Sequence, residues 1–201
     1  MEKNETQFTN FKIHSQYSIC EGAVKIDELA EHCKKNKIKA IGLCDSFNLC
    51  GALEFAEKIS KAGTQPIIGS QINFKIDNTI GKLPIFAKTI DGYKNLTKLS
   101  SISYLESEAN LEPHCELEDL YNNSDGLVVL SGTIYDLFGK LFKLNKLNLI
   151  KNLLKKLNKF FQNNFYIEIQ RHSENDEKNF EDFLILISSE LQIPLISSQE
   201  V

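Results

Sequence analysis

The sequence predicts an α/β domain built on a mostly parallel sheet or barrel. Apolar strand-like runs alternate with helical patterns almost from end to end, giving about seven βα repeats. Two of the strands, "KAIGLCD" (39–45) and "GLVVLSG" (126–132), are nearly uninterrupted apolar runs. That is the pattern of strands covered by helices on both faces. No Gly-rich linker or low-complexity tract divides the chain, and 201 residues suffice for one domain with a sizeable core.

The elements follow in order. "NFKIH" (10–14) is short and β-prone, and it ends on a histidine. In "IDELAEHCKKNK" (26–37), Ile26, Leu29, Ala30 and Cys33 recur at helical spacing with charge elsewhere. "KAIGLCD" is a buried strand, and "GALEFAEKISKAG" (51–63) is a helix that stops at Gly63. "PIIGSQINFKI" (66–76) and "LPIFAK" (83–88) read as strands, and "DGYKNLTKLSSISYL" (91–105) as a helix with Asp91 as its N-cap. After "GLVVLSG" come the helical stretches "TIYDLFGKLF" and "KLNLIKNLLKKLNKFF". "FYIEIQ" (165–170) is a strand, "ENDEKNFEDFLILISSEL" (174–191) a helix and "IPLISS" (193–198) a strand. The chain stops just past that strand with no helix to cover it, which reads as the front of something longer.

Composition excludes several classes. A net charge of −4 is a poor match to a protein that grips phosphate backbones. No apolar run approaches the ~20 residues that span a bilayer, and "MEKNETQFTN" has no apolar signal core. Five cysteines without a C-x-x-C pair read as reduced thiols of a cytoplasmic protein. In "KLNLIKNLLKKLNKFF", Leu147, Ile150, Leu154, Leu157 and Phe161 form one face, so its lysines read as a solvated face rather than a nucleic-acid grip.

In such folds chemistry collects at the C-terminal ends of the strands. The candidates there are His14, Asp45, Gln71, Ser131 to Thr133, Glu168 to His172, Gln199 and Glu200. Taken alone, His14 reads as a hydrogen-bonded strand-end residue ahead of a ligand, and Asp45 equally as a cap for the turn near Asn48 or as an ion-pair anchor. His172 reads as a loop residue. The pairs His32–Cys33 and His114–Cys115 are weak metal signals, because neighbours on a helix diverge by ~100°.

Several stretches carry a family resemblance: "FKIHSQYSICEGAVKIDELAEHC", "AIGLCDSFNLCGALEFAEKISKAGTQPIIG", "GYKNLTKLSS", "GLVVLSG", "FYIEIQRHS" and "IPLISSQE". In this order and spacing they resemble the polymerase-and-histidinol-phosphatase (PHP) domain that begins the α subunit of bacterial DNA polymerase III. The resemblance runs over 11–201, leaving 1–10 as an N-terminal extension. It implies a distorted (β/α)7 barrel, here truncated at its C-terminal end, whose strand ends in intact members bind a metal cluster for phosphoester hydrolysis.

Carried across, that cluster is depleted. Lys12 stands at the first position of the opening His-x-His and His14 at the second. Glu21 replaces an aspartate, and Asp45 is kept while its partner histidine is Ser46, followed by Phe47. Gln71 stands for a glutamate, Lys82 for a histidine, Thr133 for a cysteine and Glu200 for an aspartate. An ammonium has no lone pair for a metal, so Lys12 and Lys82 are expected to neutralise Asp45, Glu21 and Glu200 in its place. No metal is expected in this domain. A residual Mn²⁺, Mg²⁺ or Zn²⁺ site would use His14, Glu21, Asp45 and Glu200.

By the same resemblance, the parent is a DNA-directed DNA polymerase, a Mg²⁺-dependent nucleotidyltransferase whose polymerase residues lie outside this segment. The segment itself is expected to be catalytically inactive. It would stabilise the rest of the α chain and holoenzyme and dock the proofreading exonuclease (ε) subunit. The alternative is a working metal-dependent phosphoesterase with a reduced site.

Overall fold

The computed structural model describes residues 8–107 and 110–201; most of the expected N-terminal extension lies outside them. Seven strands form the sheet: β1 (Ala40–Ser46), β2 (Gln65–Ile76), β3 (Thr79–Ala87), β4 (Cys115–Glu116), β5 (Leu127–Leu130), β6 (Phe165–Ile169) and β7 (Leu195–Ser197). The path is β1-β2-β3-β5-β6-β7, with the two-residue β4 beside β2. The helices are α1 (Ile26–Asn36), α2 (Ala52–Lys61), α3 (Ile90–Leu105), α4 (Leu117–Asn122), α5 (Leu137–Lys143), α6 (Leu147–Phe161) and α7 (Glu177–Leu191).

The sheet is parallel except at β3, which runs antiparallel to both β2 and β5. The reason is loop length. A parallel crossover needs a dozen or more residues, and only Asp77 and Asn78 separate β2 from β3, with Asp77 in the left-handed region at φ 52°. Strict βα alternation therefore fails once. Helix α3 is also capped differently from the sequence expectation. Thr89 is the N-cap and its hydroxyl accepts from Gly92 N at 3.0 Å, while Asp91 pairs with Lys94 at 2.9 Å. The structure starts α7 at Glu177 rather than at residue 174.

The segment expected as a first strand pairs on both sides. Gly42 N donates to Asn10 O (2.8 Å) and Cys44 N to Ile13 O (2.9 Å). On its other side His14 N donates to Val201 O (2.8 Å), and Lys12 forms a parallel bridge with Glu200. The chain's first and last described segments thus join β1 to the β6–β7 side and curl the sheet round. Gly42 permits this, since a Cβ there would lie 2.3 Å from Phe11 Cα.

Strand alternation divides the core. Ile41 and Leu43 of β1 point outward to pack with Ile26, Leu29, Phe55 and Ile59 of α1 and α2. Cys44 points inward and meets Phe86 and Leu130 as an apolar floor inside the curl. The largest cluster lies on the outer side, where α3 to α7 cover β2, β3, β5 and β6.

Candidate functional site

The polar interior begins above that floor. Lys12, from the first paired segment, is fully buried, and its Nζ lies 3.2 Å from Glu168 Oε1 of β6 and 3.1 Å from Glu200 Oε2. The ammonium makes no well-formed hydrogen bond among the described residues, so its attraction to both carboxylates is coulombic. Burial pulls the Lys12 pKa down, but Glu168, Asp136 and Glu200 outweigh it and hold the ammonium well above the ordinary lysine value.

Around this pair the other strand ends converge. His14 Nε2 sits 2.7 Å from Glu200 Oε1, and Gln71 Nε2, midway along β2 opposite the end of β1, donates to the same oxygen at 2.9 Å. Burial raises the Glu200 pKa, yet the His14 and Gln71 contacts and the Lys12 charge together hold it well below the usual carboxylate range. Gln170 Nε2 donates to Glu168 Oε1 at 2.9 Å, and Ser198 Oγ donates to it as well.

A second pair lies nearer the surface. Lys82 Nζ of β3 donates to Glu21 Oε1 (2.8 Å) and to Ser46 Oγ (3.1 Å), and Ser46 Oγ donates to Glu21 Oε2 (2.5 Å). Burial opposes ionisation of Glu21, but the Lys82 and Ser46 bonds and the Lys82 charge win and its pKa is lowered. His14 links the two pairs, with Nδ1 3.2 Å from Ser18 Oγ and 4.0 Å from Glu21 Oε2. Phe47, strained at φ 64°, places its ring 5.2 Å from Lys82 Nζ.

Asp45 departs from the sequence expectation. It takes neither lysine. Its carboxylate accepts Ser15 N (2.6 Å), Ser15 Oγ (2.7 Å) and Ser18 Oγ (2.7 Å). The cause is the period of two along β1: Ser46 faces the Glu21–Lys82 pair, so its neighbour Asp45 turns to the side of Ile41 and Leu43. Nor does Asp45 cap the following turn, where Asn48 Oδ1 accepts from Cys50 N at 3.0 Å. Its role in the structure is to hold the Ser15–Ser18 turn. Thr133 also stands apart from the lysine pairs, and its N and Oγ1 donate to Asp136 Oδ2 at 2.7 and 3.0 Å.

Glu168 and Asp136 are the partners that sequence reading undervalued. Glu168 carried a signal, an acid inside the apolar run "FYIEI". Asp136, within the helical stretch "TIYDLFGKLF", was not singled out; it is buried, and burial raises its pKa against the opposing Lys12 charge. The remaining candidates scatter. His172 Nε2 contacts Gln170 Oε1 at 3.0 Å, His32 lies exposed beside Asn36, and Cys33 and Cys115 are buried thiols. On α6, Ile150, Leu154, Leu157 and Phe161 are buried as the helical spacing predicts, and Leu147 at its start is 37% exposed.

The donor set does not fit a metal cluster. Among the described residues no three His, Cys, Asp or Glu side chains are grouped so as to hold an ion, and an ammonium, which cannot ligate, lies between two of the carboxylates. The profile of the PHP domain family matches residues 10–172. The chain belongs to the PHP domain family. This PHP domain is 35% identical over 206 residues to the DNA polymerase III subunit alpha of Borreliella burgdorferi and 36% identical over 196 residues to that of Rickettsia felis. Each alignment covers 97% of the chain, which spans only 18% and 16% of those relatives. In fold, it resembles a Bifidobacterium adolescentis protein described as a metal-dependent phosphoesterase, with a TM-score of 0.61 at 10% identity. That match covers 96% of this chain and 87% of the other. A Chromobacterium violaceum amidohydrolase gives a TM-score of 0.56 at 11% identity, covering 96% and 86%. Among the described residues no helix is long and apolar enough to cross a membrane.

Proposed function

We propose that this PHP domain serves a replicative DNA polymerase III α subunit as a charge-held scaffold and as a docking platform for the proofreading exonuclease (ε) subunit. The parent chain would supply Mg²⁺-dependent DNA synthesis in the cytoplasm from residues beyond this segment. The observation that carries the reading is the fully buried Lys12 between Glu168 and Glu200. In a barrel whose relatives include a protein described as metal-dependent, a fixed side-chain cation supplies the positive charge here. Lys82 does the same for Glu21 at the rim. Lys12, His14, Glu21, Ser46, Gln71, Lys82 and Glu200 form one vestigial metal-site wall, with Asp45 and Thr133 as its displaced members.

The residual-metal alternative needs His14, Glu21, Asp45 and Glu200 to converge on one ion. In the structure they hold Glu200, Lys82, two serines and Lys12 respectively. The test is elemental analysis of the protein purified without chelator and offered Zn²⁺, Mn²⁺ and Mg²⁺, followed by titration with purified exonuclease subunit. The scaffold reading expects far less than one equivalent of tight metal and saturable exonuclease binding. Near one equivalent, lost on Glu200→Gln, would return the phosphoesterase reading, and no exonuclease binding would remove the docking role.

A further inference from the structure

The opposite end of the barrel carries a feature that the charge cluster does not explain. Below the apolar floor a cavity of about 500 Å³ opens among Phe11, Ile67, Phe86, Val128, Tyr166 and Ile196. A second depression, of about 410 Å³, adjoins it beside Ile68, Ile90 and Tyr93. Both share one rim, made of Pro66, Ala87 and Lys88. Ile90 is 78% exposed and Tyr93 39% exposed, and contiguous exposed apolar surface of this kind marks an interaction site. The first cavity lies in the size range of sites that receive a ligand or an anchoring side chain.

The charge pattern limits what can sit there. Neither lining contains an acid, and Lys88 is the one charged residue in both. Its Nζ donates to a neutral partner, Asn164 Oδ1, at 3.0 Å. Among the described residues no carboxylate forms an ion pair with it. A cation on the ridge between two apolar hollows complements a carboxylate flanked by two apolar side chains.

We infer that the barrel floor is a docking site for a partner-protein segment that sets one apolar side chain in each hollow and a carboxylate between them on Lys88. This surface lies at the strand ends remote from Lys12 and Glu200, so it stands independently of how that charge cluster is read. An extended segment would present such residues at alternate positions, about 13 Å from first to third.

The probe is the peptide acetyl-Phe-Ser-Glu-Ser-Leu-amide, titrated into the 201-residue chain with methyl chemical shifts as readout. Saturable shifts are expected at Ile67, Val128 and Ile196. Replacing the central Glu by Lys should weaken binding at least about tenfold, the scale of a lost charge pair. Lys88→Glu in the protein should weaken the Glu peptide equally and restore binding of the Lys peptide. Lys88 is exposed, so this variant is not expected to disturb folding, and Tyr93→Asp gives a second test of the smaller hollow. No binding at millimolar peptide, shifts located elsewhere, or affinity indifferent to both substitutions would overturn the proposal. So would sedimentation showing that a second copy of the chain covers these methyls and excludes the peptide.

Discussion

Lys12 and Glu200 meet twice. Their side chains approach to 3.1 Å inside the barrel, and their backbones form a parallel bridge in which Val201 N donates to Lys12 O at 3.2 Å. A charge pair and a strand closure therefore depend on the same two residues. The first described segment of the chain is fixed to the last by both.

Replacing Lys12 by Met should destabilise the domain by about 3–5 kcal/mol, the usual cost of leaving buried charge uncompensated. The companion triple change Lys12→Met, Glu168→Gln, Glu200→Gln should recover much of that loss, because it also removes the two carboxylates nearest the ammonium and leaves only Asp136 facing the site. Urea unfolding of the single and combined variants measures the difference. Equal losses in both would mean that Lys12 acts through packing of its stem instead.

The pH dependence follows from the shifts. Glu200 and Glu21 are held below their ordinary value of 4.5, so they bind protons less readily folded than unfolded. Their stabilisation is fully present above about pH 4.5 and is lost as pH falls below it. Lys12 is held above 10.5, so its contribution is fully present below that pH and fades only at higher pH. Asp136, raised above 3.8, works in the opposite direction and blunts the acid limb. Urea midpoints should be flat between these limits, and Glu200→Gln should make the acid limb shallower.

Asp45→Asn should act on stability and leave metal uptake unchanged. The carboxylate accepts three bonds from Ser15 and Ser18, and weakening charge-assisted bonds of this kind costs about 1.5–3 kcal/mol. Ser15→Ala and Ser18→Ala should each cost less in the Asn background than in the parent, since they share its acceptor. Additive losses would separate Asp45 from that turn.

Gly42→Ala should loosen the closure without touching a charge. The added Cβ would lie 2.3 Å from Phe11 Cα and 2.4 Å from Phe11 O. Overpacking against backbone costs about 1–3 kcal/mol. Hydrogen exchange should show faster opening of the Cys44 amide, which bonds Ile13 O, with the α3 core unchanged.

Periodicity and turn residues carried most of the fold. The buried faces of α1, β1, α6 and β5 follow from spacing that any reader of the chain can count. The antiparallel β3 was also within reach, because two residues cannot make a parallel crossover. Thr89 was hidden as a cap by the acid two places later.

By itself the sequence determined the α/β class and the family, and it set Lys12, Ser46, Gln71 and Lys82 among the polar residues of otherwise apolar strands. It could not determine which acid each lysine meets. Lys12 and Glu168 are 156 positions apart, and only the curl of the sheet brings their side chains to 3.2 Å. Asp45 and Ser46 are adjacent in sequence, yet the pleat of β1 sends one to Ser15 and the other to Glu21. Local pattern is written along the chain, whereas contact between distant charges depends on strand register and facing, which tertiary packing decides.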